Sequence, residues 1–261
     1  MDERVATNKR RWEEMTELHL DTYRVDERDA EGTFGLKAFE AGELGSIAGL
    51  RLCHLQSHLG ENTFALAQMG ATHVVGIDFS TRSVEVASIR AQRLGLGDRV
   101  RFVCATVDDA PAAVDEVFDG VYTSWGVLCW IPSLAKWARS IRELLRPGGW
   151  FYVADTHPYA AATRWATFPY GGSVAVFDDD QGDYTSQAAV FEHPESWEWN
   201  HGLGEVVTAL VQAGLSVDWL HEHPTVGWNL GDDALEQRPD GMWELTGSDL
   251  PLSFSLRATR N

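Results

Sequence analysis

The chain has 261 residues, 44% of them hydrophobic and 23% charged, enough for one large domain with a full apolar core. A formal net charge of −18, with no Lys/Arg cluster to offset it locally, opposes nucleic acid as a partner. MDERVATNKRRWEE lacks an apolar leader, and no apolar run approaches bilayer length, so a soluble, cytoplasmic protein without membrane contact is expected.

The first element is an amphipathic helix over residues 5–22, with Trp12, Met15, Leu18 and His19 on one side. GLRLCHLQ then reads as a short apolar strand, ENTFALAQMGA as a helix stopped at Gly70, and THVVGIDFS as a second buried strand. TRSVEVASIRAQRLGL carries Val84, Ala87, Ala91 and Leu94 at helical spacing, with Ser80 as N-cap and Gly95 as the stop. RVRFVCATV and FDGVYTSWG are strands three and four, KWARSIRELLRPGG is a helix closed by Pro-Gly-Gly, and WFYVADTHP is the fifth strand. Alternation of strand and helix over about 50–157 predicts a parallel sheet covered on both faces.

Residues 160–198 break this pattern. They are rich in aromatics, Gly and Asp, show no long helix, and read as an insertion forming a β-ribbon or lid. LGEVVTALVQAGL is helical, LSVDWLHEHP a strand, and LPLSFSLRATR the last strand after a Gly/Asp-rich connection. No repeat, linker or second domain is visible. The eleven Trp predict an aromatic-lined cavity as well as core, and Cys53, Cys104 and Cys129 are expected to be buried free thiols.

In doubly wound sheets, ligands sit at the carboxyl ends of the central strands. HLQSHLG, His54 to Gly60, occupies the first strand-to-helix turn, where Gly60 permits the tight turn and the helix N-terminus favours an anionic ligand group. Asp78 follows about twenty residues later, where a Rossmann-like protein places the acid that receives ribose hydroxyls; an N-cap for the next helix is the other role open to it.

This order of segments resembles the class I S-adenosylmethionine-dependent methyltransferases over nearly the whole chain, through VVGIDFS, VRFVCATVDDAP, FDGVYTSWGVLCW and above all the LLRPGG run before the fifth strand. HLQSHLGENTFALAQMGA, YTSWGVLCWIPSL, WNHGLGEVVTALVQAGL and LPLSFSLRATR further resemble a bacterial, mostly actinobacterial, small-molecule subgroup whose first loop reads HLQCHFG. The resemblance implies an α/β, Rossmann-like, doubly wound and mostly parallel seven-stranded sheet with an antiparallel last strand. One domain is implied: an N-terminal helical cap (1–45), a cofactor-binding core (46–158), a lid-like insertion (159–200) and a C-terminal helix with strands (201–261).

It also implies S-adenosyl-L-methionine as cofactor, S-adenosyl-L-homocysteine as product, and methyl transfer to a small molecule at oxygen, nitrogen or carbon by a monomer or homodimer. The cofactor positions carried over are His54, Gln56, Ser57, His58, Gly60, Asn62 and Thr63 in the first turn, and Asp78, Phe79 and Ser80 after the second strand. Thr106, Val107 or Asp108 would meet the adenine, and Ser124, Trp125 and Gly126 would form the floor under the sulfur. The chain departs from the family where His54 stands for an acid and where Gln56 and His58 stand for glycines. His54 either serves the cofactor or is a satisfied buried histidine, and Trp125 and Trp130 either face the ligand or belong to the core.

Deprotonation of an acceptor calls for a base, and His201, then His157, then Asp155 are the candidates, each with a structural alternative as a cap or an orienting group. Trp12, His19 and Tyr23 resemble the segment that closes over cofactor and substrate, with Trp130 facing the acceptor; Trp12 can equally be a helix anchor. THPY (156–159) and HEHP (221–224) are not read as motifs, since the first follows the wrong strand and the second offers no third metal ligand. No metal is expected. A nicotinamide-dependent oxidoreductase would need a GxGxxG turn, which is missing; a binding or non-methylating protein on the same fold stays open through the altered loop; a nucleic-acid methyltransferase is opposed by the charge.

Overall fold

The computed structural model describes residues 2–164, 169–186, 188–231 and 234–261; residues 165–168 and 187 of the expected insertion, and 232–233 of the Gly/Asp-rich connection, lie outside the described residues. Three helices come first, α1 (Glu3–Thr22), α2 (Val25–Glu31) and α3 (Ala38–Leu44). Strand and helix then alternate through β1 (Arg51–Leu55), α4 (Glu61–Gln68), β2 (His73–Asp78), α5 (Thr81–Arg93), β3 (Val100–Cys104), α6 (Ala110–Val114), β4 (Phe118–Ser124), α7 (Leu134–Leu144) and β5 (Leu145–Thr156). After α8 (Pro158–Arg164) comes an antiparallel ribbon of β6 (Val174–Asp178) and β7 (Ser196–Asn200). Helix α9 (Leu203–Gln212), β8 (Leu215–His223), β9 (Thr225–Val226), β10 (Leu235–Gln237), β11 (Trp243–Leu245) and β12 (Ser253–Arg260) complete the order.

Seven strands form one sheet in the order β3-β2-β1-β4-β5-β12-β8. The pairs from β3 to β5 are parallel, and β12 runs antiparallel to both neighbours. The sheet is therefore Rossmann-like and mostly parallel with an antiparallel last strand, as the sequence predicts. Side chains alternate between its faces because successive residues of a strand point opposite ways. Cys53, Val75, Val121 and Phe151 belong to the apolar cluster shared with Trp137, Ile141 and Leu144 of α7 and Leu210 of α9. Leu52, Val74, Tyr122 and Tyr152 belong to the opposite cluster, with Leu44, Phe64 and Ala91 of α3, α4 and α5. Two buried faces explain why the strands read as continuous apolar runs.

The ribbon in the insertion is present, and Ser80 caps α5 through the N–H of Ser83, but other readings need correction. Pro-Gly-Gly does not close a helix. Helix α7 ends at Leu144 and Leu145 is already extended, because Arg146 precedes a proline and is biased against helical geometry. Pairing with β4 jumps from Phe118–Leu145 to Gly120–Trp150, and Arg146–Gly149 form the irregularity between. Gly149 passes so near the Asp119 carbonyl that a Cβ would lie 3.0 Å from it. Of the thiols, all free, only Cys53 is buried; Cys104 is exposed at the end of β3 and Cys129 is intermediate. Helix α6 and the small antiparallel sheet β10-β11-β9 are additions not seen in the sequence. No described helix is long and apolar enough to cross a membrane.

Candidate active site

Two cavities meet at the carboxyl ends of the parallel strands. The first, about 580 Å³, takes its wall from the β1 turn (His54, Gln56, Ser57, His58, Asn62), the end of β2 (Asp78, Phe79), the end of β3 (Thr106, Val107, Asp108) and the end of β4 (Ser124, Trp125, Gly126). The second, about 840 Å³, lies under the β6–β7 ribbon. Trp12, Tyr23, Trp125, Gly126, Trp130 and Tyr184 line both, so the two spaces share one aromatic wall.

The β1 turn keeps glycine geometry without the glycines. Gln56 (φ 57°) and His58 (φ 46°) are left-handed, as is Gly60 (φ 92°). At Gly60 a Cβ would meet the Phe102 ring at 2.7 Å, so this position has no room for a side chain. Thr63 lies behind the wall, its hydroxyl 2.7 Å from His54 Nδ1, and Ser80 is occupied as a cap. These three residues, Gly60, Thr63 and Ser80, shape the site without lining it.

Burial pushes the His54 imidazole down to about 3, so it is neutral. Its Nε2, together with Gln56 Oε1 and Ser57 Oγ, is buried on the cavity wall with no partner among the described residues. Trp12 Nε1 on the same wall is likewise unpartnered; buried polar atoms are nearly always bonded, and four orphans around one cavity point to a polar ligand there. The Gln56 amide nitrogen is engaged by the Val127 carbonyl at 2.9 Å, which aims Oε1. Asp78 accepts the backbone N–H of His58 (2.8 Å) on one oxygen and of Ser80 (2.9 Å) on the other, leaving one lone pair on each. It holds the turn while keeping acceptor capacity free on the cavity wall; burial raises it to about 6 against those bonds.

At the end of β3 the Thr106 hydroxyl is drawn to Asp109 (2.7 Å) and Asp108 pairs with Lys136 (3.3 Å). Trp125 packs with the core and also lines both cavities, its indole N–H held by the buried Glu40 at 3.1 Å. Glu40 also accepts from Tyr122 OH (2.7 Å), and burial pushes its carboxyl up. Trp130 stands edge-on to Trp12, ring centres 5.4 Å apart.

Helix α1 lies over this site. Glu13 caps α5, accepting from Ser80 Oγ (2.9 Å) and the N–H groups of Thr81 (2.8 Å) and Arg82 (2.7 Å). His19 lines neither cavity. It is buried between His58 (Nδ1 to Nε2, 2.9 Å) and Asp183 (Nε2 to Oδ1, 3.2 Å), linking the cap, the first turn and the insertion. Burial holds the His58 imidazole well below its ordinary range. Tyr23 and Tyr184 meet through their hydroxyls on the shared wall.

The three expected bases are all engaged elsewhere. Asp155 accepts four backbone N–H groups, from Gly126 (2.7 Å), Val127 (3.1 Å), Leu128 (2.9 Å) and Thr156 (2.7 Å). It fixes the loop after β4, and although burial raises its pKa, its lone pairs are spent. His201 bonds Ile131 O (2.7 Å) through Nε2 and Ser173 Oγ (2.9 Å) through Nδ1; it reaches the second cavity as a brace. His157 lines neither cavity and bonds Glu222 (3.0 Å) and the N–H of Tyr159 (3.1 Å). Glu40, Tyr184, Asp183 and Glu198 were missed; in SWEWN, an acid set between indoles in an apolar strand is the available signal for the last.

Residues 55–153 match the family described as "Methyltransferase domain". A ubiquinone biosynthesis O-methyltransferase of Paracidovorax citrulli is 31% identical over 122 residues, 46% of this chain and 49% of that one. The chain thus spans about half the length or less of the curated relatives it matches. Among solved structures, an S-adenosylmethionine dependent methyltransferase from Mesorhizobium loti superposes with a TM-score of 0.57 at 18% identity, over 87% of this chain and 99% of that one. Geranyl diphosphate C-methyltransferase from Streptomyces coelicolor A3(2) gives 0.55 at 14% identity, over 85% and 77%. The strand order, the antiparallel last strand and these superpositions agree, and the chain has the class I S-adenosylmethionine-dependent methyltransferase fold.

Proposed function

We propose that the protein is an S-adenosylmethionine-dependent methyltransferase acting on a small molecule. One observation carries this reading: a polar cavity with four orphaned side-chain atoms and the two-pronged Asp78 opens through an aromatic wall onto a second, larger cavity. The donor set fits the cofactor. Asp78 would receive the ribose hydroxyls; His54 Nε2, Gln56 Oε1 and Ser57 Oγ would hold the amino-acid end; the strand end at Thr106, Val107 and Asp108 would meet the adenine. When bound, the cofactor supplies an electrophilic methyl group on a sulfonium centre.

The chain's own part is alignment and exclusion of water. Trp12, Trp125 and Trp130 form the walls between donor and acceptor, and Asp155 fixes the backbone of Gly126 to Leu128 beneath them. The HLQSHLG turn, with Gln56 and His58 in glycine conformations, supports placing the chain in the bacterial subgroup with an HLQCHFG-like loop. The net charge of −18 supports a partner other than nucleic acid.

Calorimetric titration with S-adenosyl-L-homocysteine tests the reading. Micromolar binding that Asp78→Ala abolishes supports it. Absence of binding in protein freed of co-purified ligand would leave the fold without this cofactor.

A further inference from the structure

The second cavity holds an acid with no role so far. Glu198 stands on β7 directly opposite Val176 of β6, and both line the cavity. Residues paired across an antiparallel ribbon share a face, so the same face carries Asp178 two residues on. Strand β7 packs against the turn Leu128–Trp130, which forms part of the wall shared with the first cavity. Glu198 therefore stands on the acceptor side, close to the junction.

Its carboxylate has no hydrogen-bond or ion-pair partner among the described residues. No described Lys or Arg lines this cavity, whereas Asp178, Asp179 and Asp180 do. The cation that acts on it, Arg11 on α1, is spent on the carbonyls of Asp180, Gly182 and Pro194. The remaining wall is aromatic, with Trp12, Trp125, Trp130 and Trp228 among its members. A desolvated acid in an aromatic enclosure of negative potential attracts a cation and repels a carboxylate or phosphate.

The geometry points to Glu198 as the group that receives and deprotonates the acceptor, and to a small arylalkylamine, an aliphatic amine bearing an aromatic ring, as the acceptor class. The transfer step rests on the methyltransferase reading; the amine site does not. Glu198 accepts one proton from the bound ammonium and becomes the neutral acid. The freed nitrogen lone pair attacks the methyl carbon in line with the departing sulfur. A carbon–nitrogen bond forms as the carbon–sulfur bond breaks, its electron pair remaining on sulfur, which becomes an uncharged thioether. The product leaves as the methylated ammonium, and Glu198 returns its proton to water.

The charge environment suits this task. Burial pushes the Glu198 carboxyl up to about 7, with Asp178 on β6 adding and Arg11 on α1 opposing. Cys129, facing it from the turn, is itself pushed well above the ordinary thiol range, chiefly by burial and then by Glu198 and Asp155, and so stays neutral. A group poised near neutrality can both hold and release a proton.

The test measures binding of phenethylamine, 2-phenylethanol and 3-phenylpropionate to the full chain loaded with S-adenosyl-L-homocysteine, by quenching of its tryptophan fluorescence. The amine should bind at least tenfold tighter than the alcohol, with the carboxylate weakest. That preference should fade as pH falls through about 7, vanish in Glu198→Gln and persist in part in Glu198→Asp. Equal binding of the three, binding of none, or a preference intact in a folded Glu198→Gln variant overturns the proposal. So does tight carboxylate binding that appears only with Mg2+, which would make the Asp178–Asp180 cluster a metal site. If S-adenosyl-L-homocysteine fails to bind while the amine preference survives, the methyltransferase reading falls and the amine site stands.

Discussion

Asp78 holds the backbone N–H of His58 at 2.8 Å, so the acid at the end of β2 fixes the turn that follows β1. Acid and loop are thereby one unit. Bound ribose hydroxyls would donate to the ionised carboxylate, and burial has raised its pKa to about 6. Affinity for S-adenosyl-L-homocysteine should be level above pH 6 and weaken as pH falls below it. Asp78→Asn should remove that bend and cost about 2 kcal/mol, roughly thirtyfold in Kd, both read by titration calorimetry across pH 5–8.

His54 governs stability in acid. Its folded pKa of about 3 lies below the ordinary histidine value, so the unfolded chain binds the proton more tightly. The contribution is complete above pH 6.5 and is lost as pH falls from there toward 3, at about 1.4 kcal/mol per pH unit. Urea unfolding between pH 7 and 4 should show His54→Asn losing stability less steeply than the natural chain by that slope.

Asp155 predicts a coupled failure. Asparagine in its place turns one acceptor into a donor facing backbone N–H groups, at a cost of about 2–3 kcal/mol. Thermal unfolding of Asp155→Asn should show that loss. Ligand binding in both cavities should weaken together, because Gly126 belongs to both.

His201 braces Ser173 to Ile131, so His201→Gln should lower turnover less than about tenfold and leave the shape of the pH–rate profile unchanged. A hundredfold fall with loss of one limb of that profile would restore it as the base.

The strands were legible because both sheet faces are buried, and residues such as Val74 and Val75 are apolar whichever way they point. Ser80 and Gly60 were legible because each solves a local backbone problem. The small sheet β10-β11-β9 was not, since its short strands, such as Leu235–Gln237 with only Leu235 buried, carry no sustained alternation. The bases misled for a related reason: a histidine near a strand end looks alike whether its nitrogens are free or, as in His157 and His201, both bonded. Asp155 lines the second cavity, and only its count of backbone partners shows what it holds. Glu198 depends on contacts between segments far apart in sequence, which no local pattern reports.

The left-handed His58 ties the first cavity to the N-terminal helix. A glycine there would offer the cap nothing to grasp, but this imidazole reaches His19 on α1 and, through it, Asp183. Swinging α1 away severs the His58–His19 bond and also strips Glu13 from the start of α5, so the two turns flanking Asp78 loosen at the same moment. The N-terminal helix and the wall of the first cavity are thus mechanically joined: one cannot shift without disturbing the other.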